Sequence, residues 1–186
     1  MELRQADILD LPFAPESFDH IFVCFVLEHL ADPVRALASL RRLLRPAGTI
    51  TVIEGDHGSA YFHPDNSSAR AAIHCQVELQ RRAGGNALIG RHLYPLLAES
   101  GFESVSVSPR LVNVDSSRPV LVDAFTRRTF TAMVEAVRDD AIAAGLIDAA
   151  SFDAGIDALR RTTDSDGVFS YTFFKALARN RKQERQ

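Results

Sequence analysis

The sequence predicts an α/β protein with a parallel sheet, on three observations. Residues 21–27 form an unbroken apolar run, Ile-Phe-Val-Cys-Phe-Val-Leu. This run is too short to cross a bilayer and has no polar alternation, so it suits a strand covered on both faces, as in parallel sheets. A helical stripe follows at once, with Asp32 as N-cap, Pro33 at the first helical position, and Val34, Leu37, Ala38 and Leu44 on one face. A β-branched alternating segment, Thr49–Glu54, comes next, so strand, helix and second strand lie within about forty residues.

Taken from the start, Leu3–Ala6 reads as a short strand with Asp7 at its carboxyl end. Pro12 imposes an extended path over Leu9–Phe13, and Ser17 opens the next element. The strand at Phe18–Phe25 leads to Glu28 and His29, two titratable groups just past its carboxyl end. That is the edge where open α/β sheets bind ligands. Arg45-Pro46-Ala47-Gly48 stops the first helix, and Glu54, Asp56 and His57 then arrive at the carboxyl end of the second strand. A second amphipathic helix spans Asp65–Arg82, capped by Asp65 or Asn66 and stopped by Gly84-Gly85. Ile89–Ser100 is a third, ended by Gly101, and Phe102–Val107 alternates as a strand. Pro119–Ala144 is a long helical stretch with Leu121, Phe125, Phe130, Met133, Val134 and Val137 near one stripe. Ser151 caps a shorter helix to Arg161, Val168–Leu177 is the last strand, and residues 178–186 form a basic mobile tail.

Asp7-Ile8-Leu9-Asp10-Leu11-Pro12-Phe13, then Pro15-Glu16-Ser17-Phe18-Asp19, then the apolar strand, then Leu44 through Glu54, resembles the central and later part of class I S-adenosylmethionine-dependent methyltransferases. The small-molecule branch that includes the quinone-biosynthesis enzymes is the nearest in pattern. The resemblance implies a Rossmann-like methyltransferase sheet over residues 1–177, with a helical pair inserted at about 119–161 before the last strand. It implies S-adenosylmethionine as cofactor, with Asp7 receiving the adenine amino group and Ile8 packing on the ring. Cys24, Phe25 and His29 would line the methionine end. The family's Gly-rich turn, Asp-x-Gly-x-Gly-x-Gly, has no counterpart here, because the paired Gly84-Gly85 reads as a helix stop. The expectation is therefore an N-terminally truncated methyltransferase domain with an open edge on its first strand, so that it self-pairs as a homo-oligomer or receives the missing strands from another chain.

For the chemistry, an oxygen or carbon nucleophile on a small organic acceptor needs its proton removed, and His29, Glu54 and His57 are the candidate bases. For His29, a packed histidine at a helix start is the competing reading. For His57, a structural role is the better one. The spacings of Asp56, His57, His63 and His74 match no metal pattern, so no metal is expected. The net charge of −3 and the absence of a basic run interleaved with aromatics give no case for nucleic acid. Cys24 and Cys75 lack disulfide or metal spacing, and no segment reads as a leader or a membrane helix, which points to the cytoplasm. Two function classes remain: methyl transfer to a small acceptor, or a non-catalytic methyltransferase remnant that serves as a partner subunit.

Overall fold

A computed structural model describes residues 2–181 of the chain. Four strands, β1 (Phe18–Cys24), β2 (Leu44–His63), β3 (Glu103–Asp115) and β4 (Val168–Arg179), form one sheet in the order β1-β2-β4-β3. β1 and β2 are parallel, with Ile21 opposite Ile50 and Cys24 opposite Ile53. β4 runs antiparallel to β2: the Asn180 N–H meets Gly48 O at 2.8 Å, while the Thr172 N–H meets Ser59 Oγ at 2.9 Å. Ser108 beside Lys175 and Arg181 bonded to Glu103 make β3 and β4 antiparallel as well. The sheet is therefore mixed rather than all-parallel.

The chain divides into two compact units, the first from Met1–Gly55, Leu88–Arg110 and Phe173–Gln186, the second from Asp56–Ala87 and Leu111–Thr172. The core of the first is Val23, Ile50 and Val52 from its parallel strands, Leu27 from the turn after β1, and Leu37 and Leu40 from its first helix, closed by Ile89, Leu93 and Leu97. That helix, α1 (Pro33–Leu43), starts where its sequence dictates, with Asp32 Oδ1 accepting the Arg35 N–H at 2.9 Å and Pro33 needing no partner for its nitrogen. Ile89–His92 forms a 3₁₀ turn before α3 (Leu93–Glu99), and Gly101, at φ 85°, ends it.

The second unit is organised by α2 (Ser67–Arg82), with Asn66 as its N-cap, packed against α7 (Ala149–Arg161). Gly155 makes this close approach feasible: a Cβ there would lie 2.5 Å from Ser68 O and 2.9 Å from Ala72 Cβ. The aromatic rings of Phe62, Phe125, Phe130, Phe169 and Tyr171 cluster beside these helices, Phe130 and Phe169 being 4.7 Å apart.

Several expectations are corrected. Leu3–Ala6 is not a strand, and Leu3 is 84% exposed, because no neighbouring strand is present to pair with it among the described residues. β1 is covered on one face only: Ile21 and Val23 turn inward whereas Phe22 is 59% exposed. β2 does not stop at Glu54 but continues to His63, so Glu54, Asp56 and His57 lie within the strand and not at its end. The long helix expected over Pro119–Ala144 is divided into α4 (Pro119–Leu121), a π-helix (Val122–Thr131), α5 (Ala132–Glu135) and α6 (Arg138–Ala143), which makes the expected helical pair a run of five pieces. Asp148, not Ser151, caps α7, and the Ser151 hydroxyl donates back to it at 2.7 Å. Ala178 and Arg179 belong to β4 rather than to a tail, whereas residues 182–186 lie outside the described residues.

Candidate functional site

The first unit concentrates its polar chemistry where β1 ends. Cys24 closes the strand, and Phe25 follows with φ 55°, a left-handed backbone that costs an aromatic residue roughly 1–2 kcal/mol. Such a conformation persists only where the surroundings over-determine it. Here three bonds do so: the Phe25 N–H donates to Ile53 O at 3.0 Å, and Glu54 Oε1 accepts the Val26 and Leu27 N–H groups at 3.1 and 2.9 Å. The parallel register dictates this arrangement, since Cys24 faces Ile53 and Glu54 is therefore next to the turn. The chain then makes a 3₁₀ turn, Leu27–His29, whose first donors are the two that Glu54 holds.

Glu54 is fully buried, and its second oxygen, Oε2, has no hydrogen-bond partner among the described residues. Burial pushes its pKa above the usual glutamate value, assisted by the nearby Glu28 carboxylate and opposed by the backbone N–H bonds. Burial, with Glu54 as a second cause, also raises the Cys24 thiol, so this cysteine is held as a neutral thiol rather than a nucleophilic thiolate. His29 projects outward, its side chain 64% exposed, with Nε2 3.4 Å from Glu28 Oε1. The Phe25 ring lies against Phe173 at 5.5 Å, a neighbour from the last strand.

Asp7 sits in a local turn, its Oδ1 accepting the Leu9 N–H at 2.9 Å and its carbonyl accepting the Asp10 N–H at 3.0 Å. Its side chain is exposed, whereas Ile8 is half-buried against the same core that receives Val26 and Leu30. One core therefore supports both segments that the sequence singled out for the cofactor.

His57 belongs to the second unit. It is buried, its Nδ1 sits 3.1 Å from the Tyr171 hydroxyl, its N–H donates to Ala87 O at 3.0 Å, and Phe130 flanks the ring. The structure thus brings Cys24, Phe25, His29 and Glu54 together around one turn and assigns His57 to a separate aromatic cluster. Among the described residues no group of three His, Cys, Asp or Glu side chains is arranged to hold a metal ion.

Sequence reasoning missed two features. The capping role of Glu54 depends on strand register, which carries no local signal. Tyr171, the partner of His57, was visible only as one aromatic in an apolar strand.

Comparison with known proteins gives likenesses of sequence and of fold. Residues 1–52 match the family model of the methyltransferase domain. An uncharacterised 37.1 kDa protein in a transposon of Streptomyces fradiae is 37% identical over 111 residues, covering 59% of this chain and 31% of that protein. The ubiquinone/menaquinone biosynthesis C-methyltransferase of Bdellovibrio bacteriovorus is 40% identical over 51 residues, covering 27% of this chain and 22% of that one. The chain thus spans about a third or less of the length of these relatives. Among solved structures, a Bacillus halodurans protein described as a candidate methyltransferase superposes with a TM-score of 0.52 at 15% identity, covering 97% of this chain and 78% of that one, which is a likeness of fold.

Proposed function

We propose that this chain, whose first 52 residues match the methyltransferase-domain family model, is part of a class I S-adenosylmethionine-dependent methyltransferase and takes part in methyl transfer to a small organic acceptor. The carrying observation is the turn after β1, where a left-handed Phe25 is locked by Ile53 and Glu54 at the sheet edge used for ligands.

The residues present fit the adenosyl group. Asp7 is exposed and has an oxygen, Oδ2, that bonds nothing among the described residues, suited to an amino donor, and Ile8 offers an apolar neighbour on a fixed core. Cys24, half-buried and neutral, and Phe25, 45% exposed, offer a soft, apolar wall for a sulfonium. The cofactor, when bound, supplies a methyl group already activated for displacement. What remains for the protein is to orient the acceptor and exclude water. The carboxyl of Glu54 positions the turn through its two N–H bonds. His29, the exposed titratable group of the set, is the residue we assign to accept a proton from the acceptor at a ring nitrogen. His57, bonded to Tyr171 inside an aromatic cluster, supports a structural role.

The same reading extends to assembly. β1 is the edge of the sheet among the described residues and turns Phe22 outward, so we assign this strand a protein neighbour, a second copy or a chain that pairs alongside it. No helix of the described residues is long and apolar enough to cross a membrane.

Titration calorimetry with S-adenosylmethionine tests the central claim. Saturable binding that weakens at least tenfold in Asp7→Ala, with the melting temperature unchanged, is expected. Absence of binding to a folded chain, or equal binding by the variant, overturns it.

A further inference from the structure

The second unit contains a cleft of about 580 Å³ that none of the residues discussed for methyl transfer lines. Its walls are the π-helix, α5, α7 and the turn after α7, through Arg127, Thr131, Glu135, Asp157, Arg160 and Thr163.

Three observations single it out. First, a ten-residue π-helix is rare, and such distortions occur most often at functional sites. Arg127 and Thr131 both belong to it and both line the cleft. Second, Thr131 is only 3% exposed and its hydroxyl has no hydrogen-bond partner among the described residues. A buried hydroxyl left unbonded is destabilising, so a ligand atom that bonds it recovers that cost. Third, the charges are unevenly committed. Arg160 is held by Glu135 at 2.7 Å and Asp157 at 3.3 Å. Arg161 is held by Asp166 at 2.7 Å, with Asp164 at 3.7 Å. Arg127 instead spends its Nε on the Thr163 hydroxyl at 3.1 Å, and its terminal nitrogens meet no carboxylate among the described residues. Four carboxylates thus share two guanidinium groups, while the third guanidinium is open. The site offers one unmatched positive group and a surplus of acceptors, with Asp157 and Asp164 in the longest and weakest of those contacts.

From this pattern we propose that the cleft binds a small zwitterion of the amino-acid type, its carboxylate on the terminal nitrogens of Arg127 and the Thr131 hydroxyl, its ammonium toward Asp157 and Asp164. Planar guanidinium groups receive carboxylates in two-point fashion, which fits an arginine whose Nε is already anchored. A ligand carrying both charges matches the cleft without leaving either set unbalanced, whereas a simple anion or cation satisfies only one.

The test uses the full chain labelled with ¹⁵N and follows amide shifts at constant ionic strength. The probes are glycine, β-alanine and 4-aminobutyrate, with acetate and methylammonium as single-charge controls. At least one amino acid is expected to shift Arg127, Thr131 and Thr163 saturably and to bind several-fold more tightly than either control. Arg127→Gln keeps a donor for Thr163 but loses the guanidinium, and binding is expected to weaken at least tenfold. Thr131→Val removes the hydroxyl at constant shape, so binding weakens about fivefold while the melting temperature holds or rises. Failure of all three amino acids to shift these residues overturns the proposal, as does acetate binding as tightly as the amino acids, or wild-type affinity in Arg127→Gln. None of these readouts involves S-adenosylmethionine, so the outcome is independent of the methyl-transfer reading.

Discussion

Glu54 is where burial, hydrogen bonding and titration meet, and its replacement separates their contributions. Its Oε1 satisfies the Val26 and Leu27 N–H groups, the second of them buried, in a residue that is itself fully buried. Glu54→Ala leaves those donors unpaired. At about 1–3 kcal/mol for each desolvated group, discounted for the water that reaches half-buried Val26, the expected loss is about 2–4 kcal/mol of unfolding free energy. Glu54→Gln behaves differently, because its carbonyl oxygen still accepts both bonds. What the amide removes is ionisation. The Glu54 pKa is raised by burial, so the native chain holds this proton more tightly than the unfolded chain does. Between the ordinary value of 4.5 and the raised native value the unfolded state binds fewer protons, and stability falls as pH rises. Below that window the contribution is fully present, and above it the loss is complete and constant. The difference between Glu54→Gln and the parent chain should therefore shift in favour of the variant as pH rises from 4.5, then level off. Urea denaturation across pH 4–8 measures this directly, with the slope m as a check that the unfolded state is unchanged. An alanine variant within about 0.5 kcal/mol of the parent, or a glutamine variant with the parent's pH dependence, refutes the reasoning.

Two further outcomes follow from packing. Gly155→Ala introduces a Cβ 2.5 Å from a backbone oxygen of α2, so α7 must shift, and a net loss of about 1–3 kcal/mol is expected despite alanine's better helix propensity, read as a lower melting temperature. At the β1 edge the outward Phe22 supports association, so analytical ultracentrifugation should find the chain as a dimer and Phe22→Lys as a monomer; a monomeric parent chain at high micromolar concentration counts against a self-associating edge.

What the sequence made legible was local. Asp32-Pro33 announces a helix because the cap and the proline each satisfy the helix start with chemistry held in adjacent residues, and α1 begins there. Asn66 and Gly84-Gly85 do the same for the two ends of α2, the Gly85 N–H reaching back to Gln80 O at 2.9 Å. The strand ends were not legible for the complementary reason. β2 and β3 each run on for several residues past the point where their alternation fades, because β4 supplies antiparallel partners over that length. Apolar periodicity reports which face is buried but not how far a neighbour extends. The break of Pro119–Ala144 into a π-helix and short α-helices is similar: the stripe of Phe125, Phe130 and Val134 is real, yet the period-3.6 pattern cannot distinguish an i+4 from an i+5 ladder.

The candidate site divides along the same line. Cys24, Phe25 and His29 could be placed together from the sequence because a strand's carboxyl end is a position in sequence as much as in space. Glu54 was found for the wrong reason: it is not at a strand terminus facing a cleft but inside β2, turned onto the backbone of its neighbour. A carboxylate in a β-branched strand is ordinarily read as a surface or catalytic group, since burial without a cation is costly. Here two backbone donors and a raised pKa replace the cation, and both depend on the register that sets Cys24 opposite Ile53. A slip of that register by one residue would turn Glu54 to the other face and release Phe25 from its left-handed conformation in the same step. The strained turn and the buried acid are therefore one device. Each is improbable alone, and the pairing of two strands stabilises both.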